Sequence, residues 1–162
     1  MEKMKTYVLI LSKKFPKTHS RAGGLTYFRN NFEIGQLSTR GVHPKLHTIR
    51  PFYCRWEKRI KDVQEGKAVL SIREWTGKPY SSKQEEIAQL TAADGVGIQR
   101  LTFDKDKDGV HNMAYGVVNG KDVDTTELAD HDGLCKNDWL DWFRNADKTE
   151  PLAIIHFTKF RY

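Results

Sequence analysis

The sequence predicts a mixed α+β domain in which about six short strands form a mixed barrel or strongly curved sheet with three helices packed on it. Three observations carry this expectation. Short segments rich in β-branched and aromatic residues recur between turn signals. Residues 52–65 repeat their apolar side chains at helical spacing. Residues 152–158 form a nearly unbroken apolar run of strand length, as a central strand buried on both faces requires. The chain has 162 residues, 38% hydrophobic and 30% charged, with four Trp, six Tyr and eight Phe. That is enough for one packed core and too little for two comfortable ones, so 1–162 is read as one domain.

Taken in order, residues 7–12 read as an opening strand. Residues 13–46 follow with Pro16, Gly23-Gly24, Gly35, Gly41 and Pro44. They are expected to be mostly loop, a basic extension over about 12–46, and loops of such length usually carry function. Within them, residues 25–34 fit a short helix or a strand equally. Residues 46–50 read as a short strand, and Pro51 suits the first turn of the helix that follows. In that helix Tyr53, Trp56, Ile60 and Val63 form one apolar stripe, and Gly66 supplies the left-handed stop. Residues 67–75 alternate, with Ala68, Leu70 and Ile72 on one face and Ser71, Arg73 and Trp75 on the other. After a turn at Thr76-Gly77-Lys78-Pro79, strands are expected at 86–91, 96–103 and 113–118. Asp124-x-x-Glu127 opens a short helix that Gly133 ends, and residues 137–145 form another.

Charge narrows the class of partner. Residues 1–83 hold 18 Lys and Arg against 6 Asp and Glu, whereas 84–162 hold 9 against 15, for a net +6 overall. A positive block of this kind attracts polyanions and releases counterions on binding, which points to nucleic acid. No apolar run reaches the ~18 residues a membrane helix needs, and the run near the start is too short for a signal-peptide core. Neither secretion nor membrane insertion is expected. Cys54 and Cys135 have no metal-ligand spacing, so a reducing, cytoplasmic setting is the default.

Gly66-x-Ala68-x-x-Ser71-x-Arg73, following an amphipathic helix, resembles the signature strand of the ASCH domains, Gly-x-Lys-x-x-Glu-x-Arg. Asp132-Gly133-Leu134, Trp139-Leu140-Asp141-Trp142-Phe143 and Ile154-Ile155-His156-Phe157 resemble the late helix and closing strand of that domain. The resemblance covers about 46–162 and implies a PUA-like β-barrel with a cleft between barrel and helices, and a role in RNA binding. One branch of the family hydrolyses acetylated cytidine. There a Thr hydroxyl attacks, a Lys three residues earlier activates it, and a Glu on a later strand shuttles protons. Carried onto this strand, the hydroxyl falls on Ser71, but the Lys position holds Ala68 and the Glu position holds Gln99. A hydroxyl without a base is a poor nucleophile, so catalysis is not favoured. The remaining hydrolase arrangement would use Ser71 and Glu74, on a modified nucleoside or on RNA.

Binding uses the same segment more naturally. Arg50, Ser71, Arg73, Trp75, Lys78, Tyr80 and Lys83 combine cations that hold phosphates with rings that stack on bases, each stack worth roughly 1–3 kcal/mol. Gln84 adds an amide that can read a base edge. The expected partner is RNA or another single-stranded or modified nucleic acid, with Arg73 as the central contact and no cofactor. Trp56, Trp139 and Trp142 are assigned to the core, and Cys54 is expected to be buried and inert. Asp104-x-Asp106-x-Asp108-Gly109 begins like a calcium loop, but Tyr115 stands where the twelfth-position Glu belongs, and no metal is expected. His156 reads as a core histidine.

Overall fold

A computed structural model describes residues 3–37 and 43–162. Among them are eight strands and four α-helices: β1 (Lys5–Ile10), α1 (Phe28–Leu37), β2 (His47–Arg50), α2 (Tyr53–Gln64), β3 (Ala68–Trp75), β4 (Gln84–Leu90), β5 (Gly97–Thr102), β6 (Tyr115–Val118), β7 (Lys121–Asp124), α3 (Thr125–His131), α4 (Lys136–Phe143) and β8 (Leu152–His156). The fold is mixed α+β. The strands divide into a three-stranded sheet, β1-β3-β4, and a five-stranded sheet, β2-β8-β5-β6-β7, and neither closes into a barrel. In the smaller sheet β1 runs parallel to β3, while every pairing in the larger sheet is antiparallel.

Helix α2 joins the two sheets by packing on β3, β5 and β8. Its buried stripe is Trp56, Ile60 and Val63, as the spacing predicts. Cys54 departs from expectation: it is exposed, because one residue after Tyr53 the helix has turned about 100° away from the stripe. β8 is central and buried at all five positions, paired with β2 on one side and β5 on the other. β7 is an addition to the expected set; it pairs with β6 across the Asn119-Gly120 turn and offers one buried residue, Val123.

The segment expected to be mostly loop contains α1, which buries Phe28, Phe32 and Gly35 on one side. A Cβ at Gly35 would sit 2.9 Å from the Lys45 carbonyl oxygen, so glycine lets the helix approach the chain entering β2. The loop expectation over 38–42 lies outside the described residues. Residues 15–21 are not a loose extension. His19, itself buried, lies against α4 with Nε2 2.9 Å from the Asp138 carbonyl, and Arg21 pairs with the Asp138 carboxylate at 2.5 Å. The Ser20 amide donates to Asp141, and Phe15 stacks on His19.

Candidate nucleic-acid interface

Two adjoining hollows open where β2, the 12–14 turn and the β3–β4 hairpin meet. The outer one is a groove of about 780 Å³, lined by Lys13, Lys14, Arg50, Lys78, Trp75 and Tyr80 among others. The described residues lining it include four cations and no carboxylate. Trp75 is half-buried at the end of β3 and Tyr80 is exposed on the hairpin, their ring centroids 5.2 Å apart. Stackable rings beside ammonium groups suit unpaired bases and their phosphates.

Arg50 is shared by the groove and an inner cavity of about 300 Å³. Its position follows from β2, whose register with β8 places Arg50 opposite Ala153. One terminal nitrogen donates to the Ile10 carbonyl, and Nε lies 3.4 Å from Thr48 Oγ1. No carboxylate among the described residues pairs with it, and burial pushes its pKa down while Asp132 opposes that. A fork-shaped cation with N–H groups left over, set in the wall of a basic groove, is suited to an anion.

Phe28, Trp142 and Phe143 wall the inner cavity, and Lys45, Thr48 and Asp132 supply its polar lining. Trp142, assigned to the core from sequence, is half-buried and faces this space. Lys45 is almost wholly buried; its Nζ donates to Asp132 Oδ1 at 2.7 Å and to the Asp132 carbonyl at 2.8 Å, over the Phe28 ring. Asp132 Oδ2 accepts from the Trp139 indole at 3.1 Å. Burial drives both partners toward their neutral forms, lowering the Lys45 pKa and raising that of Asp132, against their mutual attraction.

The expected site residues divide. Arg50, Trp75, Lys78 and Tyr80 line the groove. Ser71, itself buried, and Arg73 lie instead in a polar network on the face of β3 opposite Leu70 and Ile72. Ser71 Oγ donates to Glu86 at 2.5 Å, and Arg73 donates to Ser71 Oγ at 2.8 Å and to Gln84 at 3.1 Å. The Ser71 hydroxyl holds the Glu86 carboxyl below its ordinary range. Gln84 lines the groove, so Arg73 reaches it at one remove. Lys83 closes the hairpin through its carbonyl, which accepts from Thr76, and its side chain is exposed. Glu74 is buried on the opposite face of β3 from Ser71, held by Arg29 at 2.9 Å with Lys13 at 3.8 Å. The two cannot act on one substrate atom. Gln99 lies in neither hollow; its amide oxygen accepts from His156 Nε2 at 2.9 Å and from the Tyr162 amide at 3.0 Å. Ala68 is buried in the core.

Sequence reading missed Lys45, Thr48 and Asp132. A signal existed: Lys45-x-x-Thr48-x-Arg50 carries the Lys-x-x-hydroxyl-x-Arg spacing that was sought on residues 68–73. In the acidic loop at 104–109, Asp106 accepts from the Asp108 and Val110 amides and Asp104 from the Tyr115 hydroxyl. Among the described residues no His, Cys, Asp and Glu side chains are grouped to hold a metal ion, and no helix is long and apolar enough to cross a membrane. Comparison of the chain with protein-family profiles, curated proteins and solved structures finds no match.

Proposed function

We propose that the protein is an ASCH-type module of the PUA-like class that binds single-stranded or modified nucleic acid, RNA above all, through the Arg50 groove. The observation that carries the reading is the groove itself: four cations, two stackable rings and no carboxylate among its described lining residues. The resemblance is better anchored on β2 than on β3, because Lys45, Thr48 and Arg50 keep the signature's Lys and Arg at its spacing. The departures are His43, where the signature has Gly, and Thr48, where it has Glu.

Short single-stranded RNA is expected to bind with a log–log salt slope of about −0.7 per phosphate neutralised. Lys14→Glu with Lys78→Glu should cut affinity more than tenfold at low salt and flatten that slope, while the melting temperature stays close to the parent's, since both side chains are exposed. A salt-independent affinity in the parent, or no binding at low salt, removes the reading.

A second reading has its own observation. Lys45, Thr48 and Asp132 meet at one small cavity, and burial favours the neutral amine of Lys45 that a hydroxyl nucleophile needs. Such a site would act as an amidohydrolase on an acylated nucleoside. Thr48 Oγ attacks the acyl carbon, its proton passes by way of Lys45 to the leaving amine, and water then hydrolyses the ester. Release of acetate from N4-acetylcytidine that vanishes in Thr48→Val would establish this reading. Turnover that survives Thr48→Val, or none in the parent, rejects it.

A further inference from the structure

Five non-glycine residues among those described adopt a left-handed backbone. Asn119 is at home in its Asn-Gly turn, but Tyr27 (φ 59°), Phe52 (φ 65°) and Tyr80 (φ 63°) are bulky residues for which that conformation is strained. All three are also exposed, by 61%, 64% and 91%. An exposed ring gains little from packing, so the core does not account for keeping an aromatic at a strained position.

Two of the three flank the groove. Tyr80 belongs to its hairpin wall beside Trp75. Tyr27 is not itself a lining residue, but its chain runs beside the Ser12–Lys14 wall: its neighbour Thr26 donates through Oγ1 to the Ser12 carbonyl at 2.6 Å, with the Lys13 carbonyl at 3.2 Å, and Lys14 pairs with Leu25. Phe52 differs. Its ring carries the Arg55 guanidinium at 5.0 Å and it shares a hollow with Asp147 and Glu150, whose charge repels phosphate.

We propose that Tyr27 and Tyr80 form a two-sided stacking platform for consecutive unpaired bases, with the linking phosphate at Arg50, so that the ligand is a single strand of two or more nucleotides rather than a duplex or a lone nucleotide. This rests on the nucleic-acid reading of the groove. The strained backbone holds each ring out from its wall, and every base offers a face to stack on, so the platform is tolerant of sequence.

The test uses the full chain with a fluorescent single-stranded RNA hexamer, a blunt duplex of the same sequence and a mononucleotide. Tyr27→Gly and Tyr80→Gly should each lower hexamer affinity at least about fivefold. Their melting temperatures should equal or exceed the parent's, because glycine relieves the strain. The salt slope should not change, and Phe52→Gly should bind as the parent does. Unchanged affinity in both tyrosine variants, an equal loss in Phe52→Gly, or equal binding of duplex and hexamer overturns the platform while leaving the groove's nucleic-acid role standing. A parent that binds no RNA but takes up a polyglutamate peptide overturns both and assigns the groove to an acidic protein.

Discussion

Asp132→Asn is expected to cost about 3–5 kcal/mol of stability, lowering the melting temperature by roughly 6–20 °C. Among the described residues the carboxylate is the sole acidic partner of a buried ammonium, and it also accepts a hydrogen bond from the Trp139 indole. Without it Lys45 is left charged beneath the Phe28 ring. Its escape is to lose the proton: for an amine that ordinarily titrates at 10.5, doing so at pH 7 costs about 5 kcal/mol, which bounds the damage. The double variant Lys45→Met with Asp132→Leu should recover most of the loss, since it removes both charges and leaves neither unpaired. Chemical denaturation of the three proteins decides the matter. A single-variant loss below about 1 kcal/mol would mean that the pair is not buried as the structure places it.

The second large effect is a loss of stability in mild acid. His47 and His156 are buried, and both are held neutral in the folded protein: burial pushes His156 down to about 3 and His47 well below its ordinary value. The contacts agree. His156 donates from Nε2 to Gln99, leaving Nδ1 without a partner among the described residues, and His47 meets the Tyr162 hydroxyl through Nε2. In the unfolded chain both titrate near 6.5, so below that pH the unfolded state binds protons the folded state refuses. Their stabilising contribution is therefore full above 6.5 and falls with the pH, for His156 until about 3. The slope is about 1.4 kcal/mol per pH unit for each ring, about 2.7 for the two. Asp132, raised by burial, acts in the opposite sense at the acid end. Urea unfolding between pH 7 and pH 4.5 reads the slope, and His156→Asn should roughly halve it. A flat profile would show that the rings are protonated or solvated in the folded state.

The elements that sequence reading placed well are those whose signal is local. The stripe of α2 and the apolar run of β8 each announce their burial, and Asp124 caps α3 by accepting from the Thr126 amide. β7 escaped because Lys121-Asp122-Val123-Asp124 holds one apolar residue and owes its existence to pairing with β6. The open two-sheet arrangement was equally illegible, since beside its hairpin neighbour β4 the strand β3 takes β1, some sixty residues earlier in the chain, as its second partner. At the site, Trp75, Lys78 and Tyr80 stood out because rings and cations share one hairpin. Arg73 stood out as the motif arginine of the resemblance, yet its hydrogen bonds run along its own strand to Ser71 and across to Gln84. The Lys45–Asp132 pair joins residues 87 positions apart, and nothing near Lys45 in sequence foretells that its ammonium is enclosed.

The place of β8 governs the order in which the molecule can assemble. It is a late segment of the chain, and it is the sole link between β2 and the rest of the larger sheet. During synthesis, β2 and β5 emerge with unsatisfied amide edges and stay so until residues 152–156 have been made. β1 waits in the same way for β3, which follows it by some sixty residues. The β3–β4, β5–β6 and β6–β7 pairs can form from sequence neighbours, but β1 and β2 join their sheets only across long loops, whose closure entropy must be met before their contacts give anything back. The consequence is that the hairpins can form early, while a ribosome-bound chain short of β8 still leaves one edge of β2 and one edge of β5 unpaired.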